Sequence, residues 1–299
     1  MIMPVSTTTA ARQLLAIYPR VTDRDRRLLA LLHAHRVLTT DQIHRLMFTA
    51  VRTCQIRLAQ LRQLGLLERF RFAHPGGGSQ PWHWTLGPAG ARFQAAATNQ
   101  PPPTERAWRE QILRLSASQQ LPHHVLVNEF FVRLHHHTLH HPDTRLQRWW
   151  SEHEAATRFL GIHPDGHGIW SHTGDTVGFH LECDRGTEPL LRLSAKLPTY
   201  QRLAQSGGPN YPILFWLPST AREANLQDLL RRQPPEVAVA TATHRDNPAD
   251  PIWLLVQDWQ RVHLADLPYH HGQPTAANPN WRNGHLDLTS PDSTTSYYG

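Results

Sequence analysis

Glu182 and Asp184 stand two residues apart in Leu181-Glu182-Cys183-Asp184-Arg185-Gly186-Thr187, where a strand leads into a turn. Residues two apart on a strand point to the same side, so the spacing brings two carboxylates together. Asp165, in Pro164-Asp165-Gly166 beside a neighbouring strand, can add a third, and Glu152 or Glu154 from the preceding element a fourth. Divalent hard cations are held by oxygen ligands, so Asp165, Glu182 and Asp184 form a candidate set for Mg²⁺ or Mn²⁺, which would activate water for phosphodiester hydrolysis. Lys196, one helix further along, is placed to stabilise charge developing on a phosphorane. It is also the sole lysine, since arginine supplies every other basic residue of the 30. The same residues have a plainer use: Asp165 in a turn after proline, and Glu182 and Asp184 at a strand end paired with Arg185.

The elements that must position these groups read as a mixed α/β sheet domain over residues 145–270. Leu146–Trp150 and Val177–Asp184 alternate as strands. Tyr211–Leu217 is apolar on both faces, as a central strand covered by helices should be. Pro189 to about Ala204 is expected to be helical despite Pro198, Ala221–Arg232 is a further helix, and Val237–Thr243 and Ile252–Val256 are further strands. Residues 98–144 read as a helical connector, opened by Pro101-Pro102-Pro103, with helices over Glu105–Gln120 and Asn128–His140. His137 and His141 are four apart on one helical face, but no carboxylate or cysteine completes a metal set beside them, and with 22 histidines in the chain a solvated surface is the better account. Residues 271–299, rich in Asn, Pro, Ser and Thr, have little to bury and read as an irregular or partly disordered tail.

The charge is divided unevenly. Residues 1–97 carry 13 Arg against 4 Asp or Glu, and the remainder 17 Arg or Lys against 20 Asp or Glu, within a net charge of +6. A basic head on a slightly acidic body points to nucleic acid held by the head. Within residues 20–97 the pattern is helix, helix, helix, hairpin, helix: Asp23–His33 capped by Thr22, a short helix capped by Thr39 or Thr40, and a third from about Arg52 stopped by Gly65. Strands follow at Leu66–Phe72 and His83–Leu86, joined through Pro75–Gln80, and a last helix starts at Pro88. This is a winged helix-turn-helix. Ile56, Leu58, Leu61 and Leu64 are expected to bury one side of the third helix, leaving Arg52, Gln55, Arg57 and Arg62 to face a major groove, with Arg69 and Arg71 of the wing on backbone or minor groove. Double-stranded DNA is the expected partner, and a homodimer on two half-sites is the usual route to specificity. The two cysteines are too few for a disulfide scaffold, and neither a secretion signal nor a membrane-length apolar run is apparent, so a cytoplasmic protein without a membrane partner is expected.

Over roughly residues 20–260 the chain resembles the bacterial replication-relaxation family of plasmid and integrative-element proteins. The resemblance rests on Asp23-Arg24-Asp25, Leu38–Ile43, Arg57-Leu58 and Leu64–Leu67 in the head, and on Trp150-Ser151-Glu152, Pro164-Asp165-Gly166, Leu181–Glu188, Lys196 and Tyr200 in the body. It implies duplex-DNA binding in plasmid or mobile-element replication or transfer, with replication or relaxosome proteins as further partners. The body also looks like the restriction-endonuclease-like (PD-(D/E)xK) fold. Asp165 and Glu182 fall on its two acidic positions, whereas Asp184 stands where that fold carries lysine. Lys196 would then be a displaced lysine and Glu152 a first-helix carboxylate. Three functions remain open: a DNA-binding protein whose body is an assembly or contact module, a Mg²⁺-dependent DNA endonuclease, and a transcriptional repressor with a sensor body.

Overall fold

The computed structural model describes residues 12, 15–72, 80–159, 161–273, 275 and 278–282. The wing tip at 73–79 and the strand suggested by Leu286 and Leu288 lie outside them. The chain divides into two compact units between Val125 and Leu126, inside the stretch read as a connector.

The first unit opens with α1 (Asp23–His35), started by a reciprocal cap in which Thr22 and Asp25 satisfy each other's backbone amides. A short strand β1 (Leu38–Thr39) leads to α2 (Thr40–Met47), capped in the same way by Thr39 and Gln42, and then to α3 (Val51–Gln63). Gly65, at φ +70°, stops α3 in a conformation that costs glycine nothing. Strands β2 (Leu67–Phe70) and β3 (His83–Leu86) form an antiparallel hairpin, with β1 on the far side of β3. α4 (Pro88–Ala97) and α5 (Glu105–Ser116, capped by Thr104) complete the unit. Leu28, Leu29, Leu32, Ile43, Leu46, Cys54, Leu58, Leu61 and Trp84 make its core. One expectation fails: Ile56 is 45% exposed, and Cys54 takes the buried place instead. At 100° per residue Cys54 lies beside Leu58 and Leu61, and Ile56 on the opposite side of α3.

The second unit is a seven-stranded mixed sheet in the order β10-β9-β8-β7-β6-β5-β4. Strands β4 (Thr144–Ser151), β5 (Gly166–His172) and β6 (Asp175–Cys183) form an antiparallel meander, with α7 (Glu152–Arg158) between the first two. Strands β7 (Ile213–Leu217) and β8 (Val239–Thr243) continue parallel to β6, and β9 (Trp253–Leu255) and β10 (Arg261–Val262) return antiparallel. The helix α6 (Leu121–Thr138) packs Phe130 and Phe131 on one face of the sheet, against Trp149, Phe179, Trp216 and Trp253. The other face is covered by α7, α8 (Leu190–Ser194), α9 (Leu197–Gln205) and α10 (Thr220–Arg232), whose apolar side chains meet Ile213, Phe215 and Leu217. Burial on both faces accounts for the unbroken apolar run of β7.

The single helix expected from Pro189 to Ala204 is two. Pro198 has no amide to donate and is tolerated only in a first turn, so a new helix begins beside it, leaving Lys196 at the break. Trp281, beyond the last strand, stacks on His271 with ring centroids 4.2 Å apart.

Candidate functional site

Glu182 and Asp165 meet where the antiparallel meander gives way to parallel strands. Gly166 is registered opposite Leu181, so Asp165 falls opposite Glu182 at the next position, and its carboxylate accepts the Cys183 amide at 2.7 Å. Glu182 is 1% exposed and lies on the helix-covered face beside Phe215 of β7. One carboxylate oxygen accepts from Lys196 Nζ, and the other accepts the Tyr200 hydroxyl at 2.5 Å. The helix break puts Lys196 over the strand end, and one turn of α9 carries Tyr200 to the same carboxylate. Burial and the neighbouring Asp165 charge push Glu182 up to about 7, against the opposing pull of Lys196 and Tyr200. Lys196 is held above its ordinary value: burial works the other way, but the charges of Glu182 and Asp165 outweigh it. Tyr200 is pushed well up by burial and by Glu182. The centre is thus a carboxyl poised near neutrality, with a cation and a phenol on its two oxygens.

Asp184 does not join it. The strand ends at Cys183, and Asp184 turns to Arg222 of α10, which grips both of its oxygens, one at 3.0 Å, while the Gly186 amide donates to the same carboxylate. Glu152 is exposed in the first turn of α7, and Glu154 pairs with Arg158 at 3.0 Å. Among the described residues no three His, Cys, Asp or Glu side chains are grouped so as to hold a metal ion. The set Asp165, Glu182 and Asp184 therefore does not fit Mg²⁺ or Mn²⁺ as arranged: Arg222 takes the third carboxylate, and a lysine and a tyrosine occupy the oxygens of the second. His137 and His141 stack face to face, 3.8 Å between centroids, which presents ring faces instead of converging nitrogens.

His180 and His167 lie in the same core, paired across β5 and β6 and enclosed by Phe159, Tyr200 and Tyr211. His167 Nδ1 is 2.8 Å from the Phe179 carbonyl oxygen. Its Nε2 and both nitrogens of His180 have no hydrogen-bond partner among the described residues. Burial drives His180 down to about 3 and His167 well below its ordinary value, so both rings are neutral.

In the head, the part of α3 turned to solvent carries Arg52, Thr53, Gln55, Ile56, Ala59, Gln60, Arg62 and Gln63. Arg57 is not on it. Its guanidinium reaches Asp25 of α1, with Nε donating at 3.0 Å, and the Arg20 carbonyl at 2.9 Å. Arg62 pairs with Glu68 of β2 at 2.8 Å. All four acidic residues of the head are occupied by arginine: Asp23 by Arg26, Asp25 by Arg57, Asp41 by Arg45 and Glu68 by Arg62. Arg69 and Arg71 flank one indole, 3.9 and 4.3 Å from the ring centroid of Trp82. Trp82 and Tyr200 are the residues whose use is new here. An aromatic just before a strand opposite two alternating arginines is the signal for the first; nothing in the sequence marks Arg222.

No curated protein and no solved structure gives a significant match to the chain. The family model described as replication-relaxation matches residues 29–212.

Proposed function

The chain belongs to the replication-relaxation family, and from that premise we propose that it is a duplex-DNA-binding protein acting in replication or transfer of a plasmid or other mobile element. The head is read as a winged helix-turn-helix, with α3 entering the major groove and the β2–β3 wing on the adjoining backbone. The observation that carries this reading is the ion-pair arrangement of the head. Its few carboxylates are all taken, and Arg52 of α3 stands exposed, with Arg69 and Arg71 held over Trp82 on the wing. A surplus of cations over anions on one unit is what phosphate attraction requires. The body, whose order of meander, helices and parallel strands resembles restriction-endonuclease-like folds, acts as an assembly or DNA-contact module. The protein works as a homodimer on paired half-sites, alongside other replication or relaxosome proteins.

Fluorescence anisotropy with a labelled duplex tests this. Binding should weaken steeply with salt, and R52A and R69A/R71A should each weaken it and flatten the salt dependence, by about 0.9 in log–log slope for each phosphate no longer neutralised. No duplex affinity at low salt, with the protein folded, overturns the reading.

A further inference from the structure

We infer that α3 reads A·T-rich duplex sites, with Gln55 on adenine and Ile56 on the methyl group of thymine. This deepens the reading of the head as a DNA-binding unit and rests on it. The exposed face of α3 is chemically unusual for a helix that meets phosphates. Its exposed cations are Arg52 and Arg62, and Arg62 is paired with Glu68; beside them stand Thr53, the amides Gln55, Gln60 and Gln63, the methyl of Ala59, and Ile56, which is 45% exposed, with Val51 at the helix start 49% exposed. The two further arginines of the helix, Arg57 and Arg62, are committed to Asp25 and Glu68. Guanine is most often read by a bidentate arginine, and of the two exposed arginines on this helix Arg62 is already paired with Glu68. Adenine presents N7 and N6 to a glutamine amide, and thymine presents its C5 methyl to apolar side chains. Gln55, Ile56 and Ala59 supply those two chemistries side by side, one turn into the helix, and the arginines of the head supply the attraction to the duplex. The core does not call for Ile56, since Cys54, Leu58 and Leu61 fill the buried side of α3.

The test uses the full-length chain and three short duplexes of equal length in the same buffer: A·T-rich, G·C-rich, and the A·T-rich duplex with deoxyuridine replacing thymidine. The third lacks only the methyl groups in the major groove. The expected result is roughly tenfold tighter binding to the A·T-rich than to the G·C-rich duplex, and a loss of about three- to tenfold on uridine substitution. Ile56→Ala should abolish the uridine effect, and Gln55→Ala should reduce the A·T preference; both positions are exposed, so both variants should fold as the parent does. Duplex binding with no composition preference, or a uridine effect unchanged in Ile56→Ala, overturns this inference and leaves the proposed function standing. Absence of duplex binding at low salt removes the proposed function itself. If the variants leave all DNA binding unchanged but lose association with another protein, the face serves that protein and the inference falls.

Discussion

The two units each bury a carboxylate to the same extent, 1% exposed, and each gives it a cationic partner, yet the two groups are driven in opposite directions. Burial raises Asp25, but the hydrogen bonds of Arg57 and of the Thr22 backbone and hydroxyl prevail and hold it below its ordinary value. Glu182 is raised to about 7, because burial is joined by the charge of Asp165, and one lysine and one phenol do not compensate. The head carboxylate is saturated by donors and fastens α3 to α1. The body carboxylate is short of them and sits beside a second acid. The first is an arrangement that stabilises a fold; in the second, burial and a neighbouring acid raise the carboxyl toward neutrality.

Breaking the head pair should have the largest effect. R57M leaves Asp25 buried and unpaired, and should destabilise the head by about 3 kcal/mol, the lower end for a buried pair because the guanidinium is partly exposed; thermal unfolding with a probe in the head measures it. K196M, the corresponding change in the body, should cost less, about 1 kcal/mol, because Lys196 is more exposed and the carboxyl it leaves can keep its proton. A larger cost for K196M than for R57M would reverse the comparison.

The pH dependence sharpens it further. Between the ordinary value of 4.5 and about 7 the native protein keeps a proton on Glu182 that the unfolded chain has released, so this group's contribution is complete below pH 4.5 and is lost as pH rises through 7, at no more than about 1.4 kcal/mol per pH unit. E182Q should lack that descent in denaturant titrations that span this window. His35 and His180 act with the opposite sign. Held down to about 3, they stay neutral while the unfolded chain takes up protons below 6.5, so stability falls as pH drops from 6.5 toward 3. With His167 also depressed, the body carries two such rings and the head His35, and H180F should flatten the acid limb of the body. The smallest signal concerns catalysis: incubation of supercoiled plasmid with Mg²⁺ or Mn²⁺ should give no nicking above background, and nicking abolished by both D165A and K196A would restore the endonuclease reading.

The sequence is most legible where local rules act alone. Thr22 and Thr39 with acceptors three residues on, Gly65 after an apolar stripe, and the apolar run at Tyr211–Leu217 each give their element away. The pairing of Asp165 with Glu182 follows from strand alternation plus one turn. What escapes is set by groups far apart in the chain: Arg222 comes 38 residues after Asp184, and Asp25 claims Arg57 across 32. Neither choice leaves a local trace, since any of several arginines satisfies the same charge. Ile56 is hard to place for a smaller reason: a helix of mixed Leu, Ile and Cys offers two apolar stripes, and only the packed core selects between them.

The helix break at Lys196 has a practical side. Because arginine replaces lysine everywhere else, an amine-acylating reagent has one side-chain target in the whole chain, and that target is clasped by Glu182 with its proton held tightly. Acylation proceeds through the uncharged amine, so the labelling rate of this residue clocks how often the body loosens its grip, and a protease specific for lysine would cut the protein once, in two, at the same place.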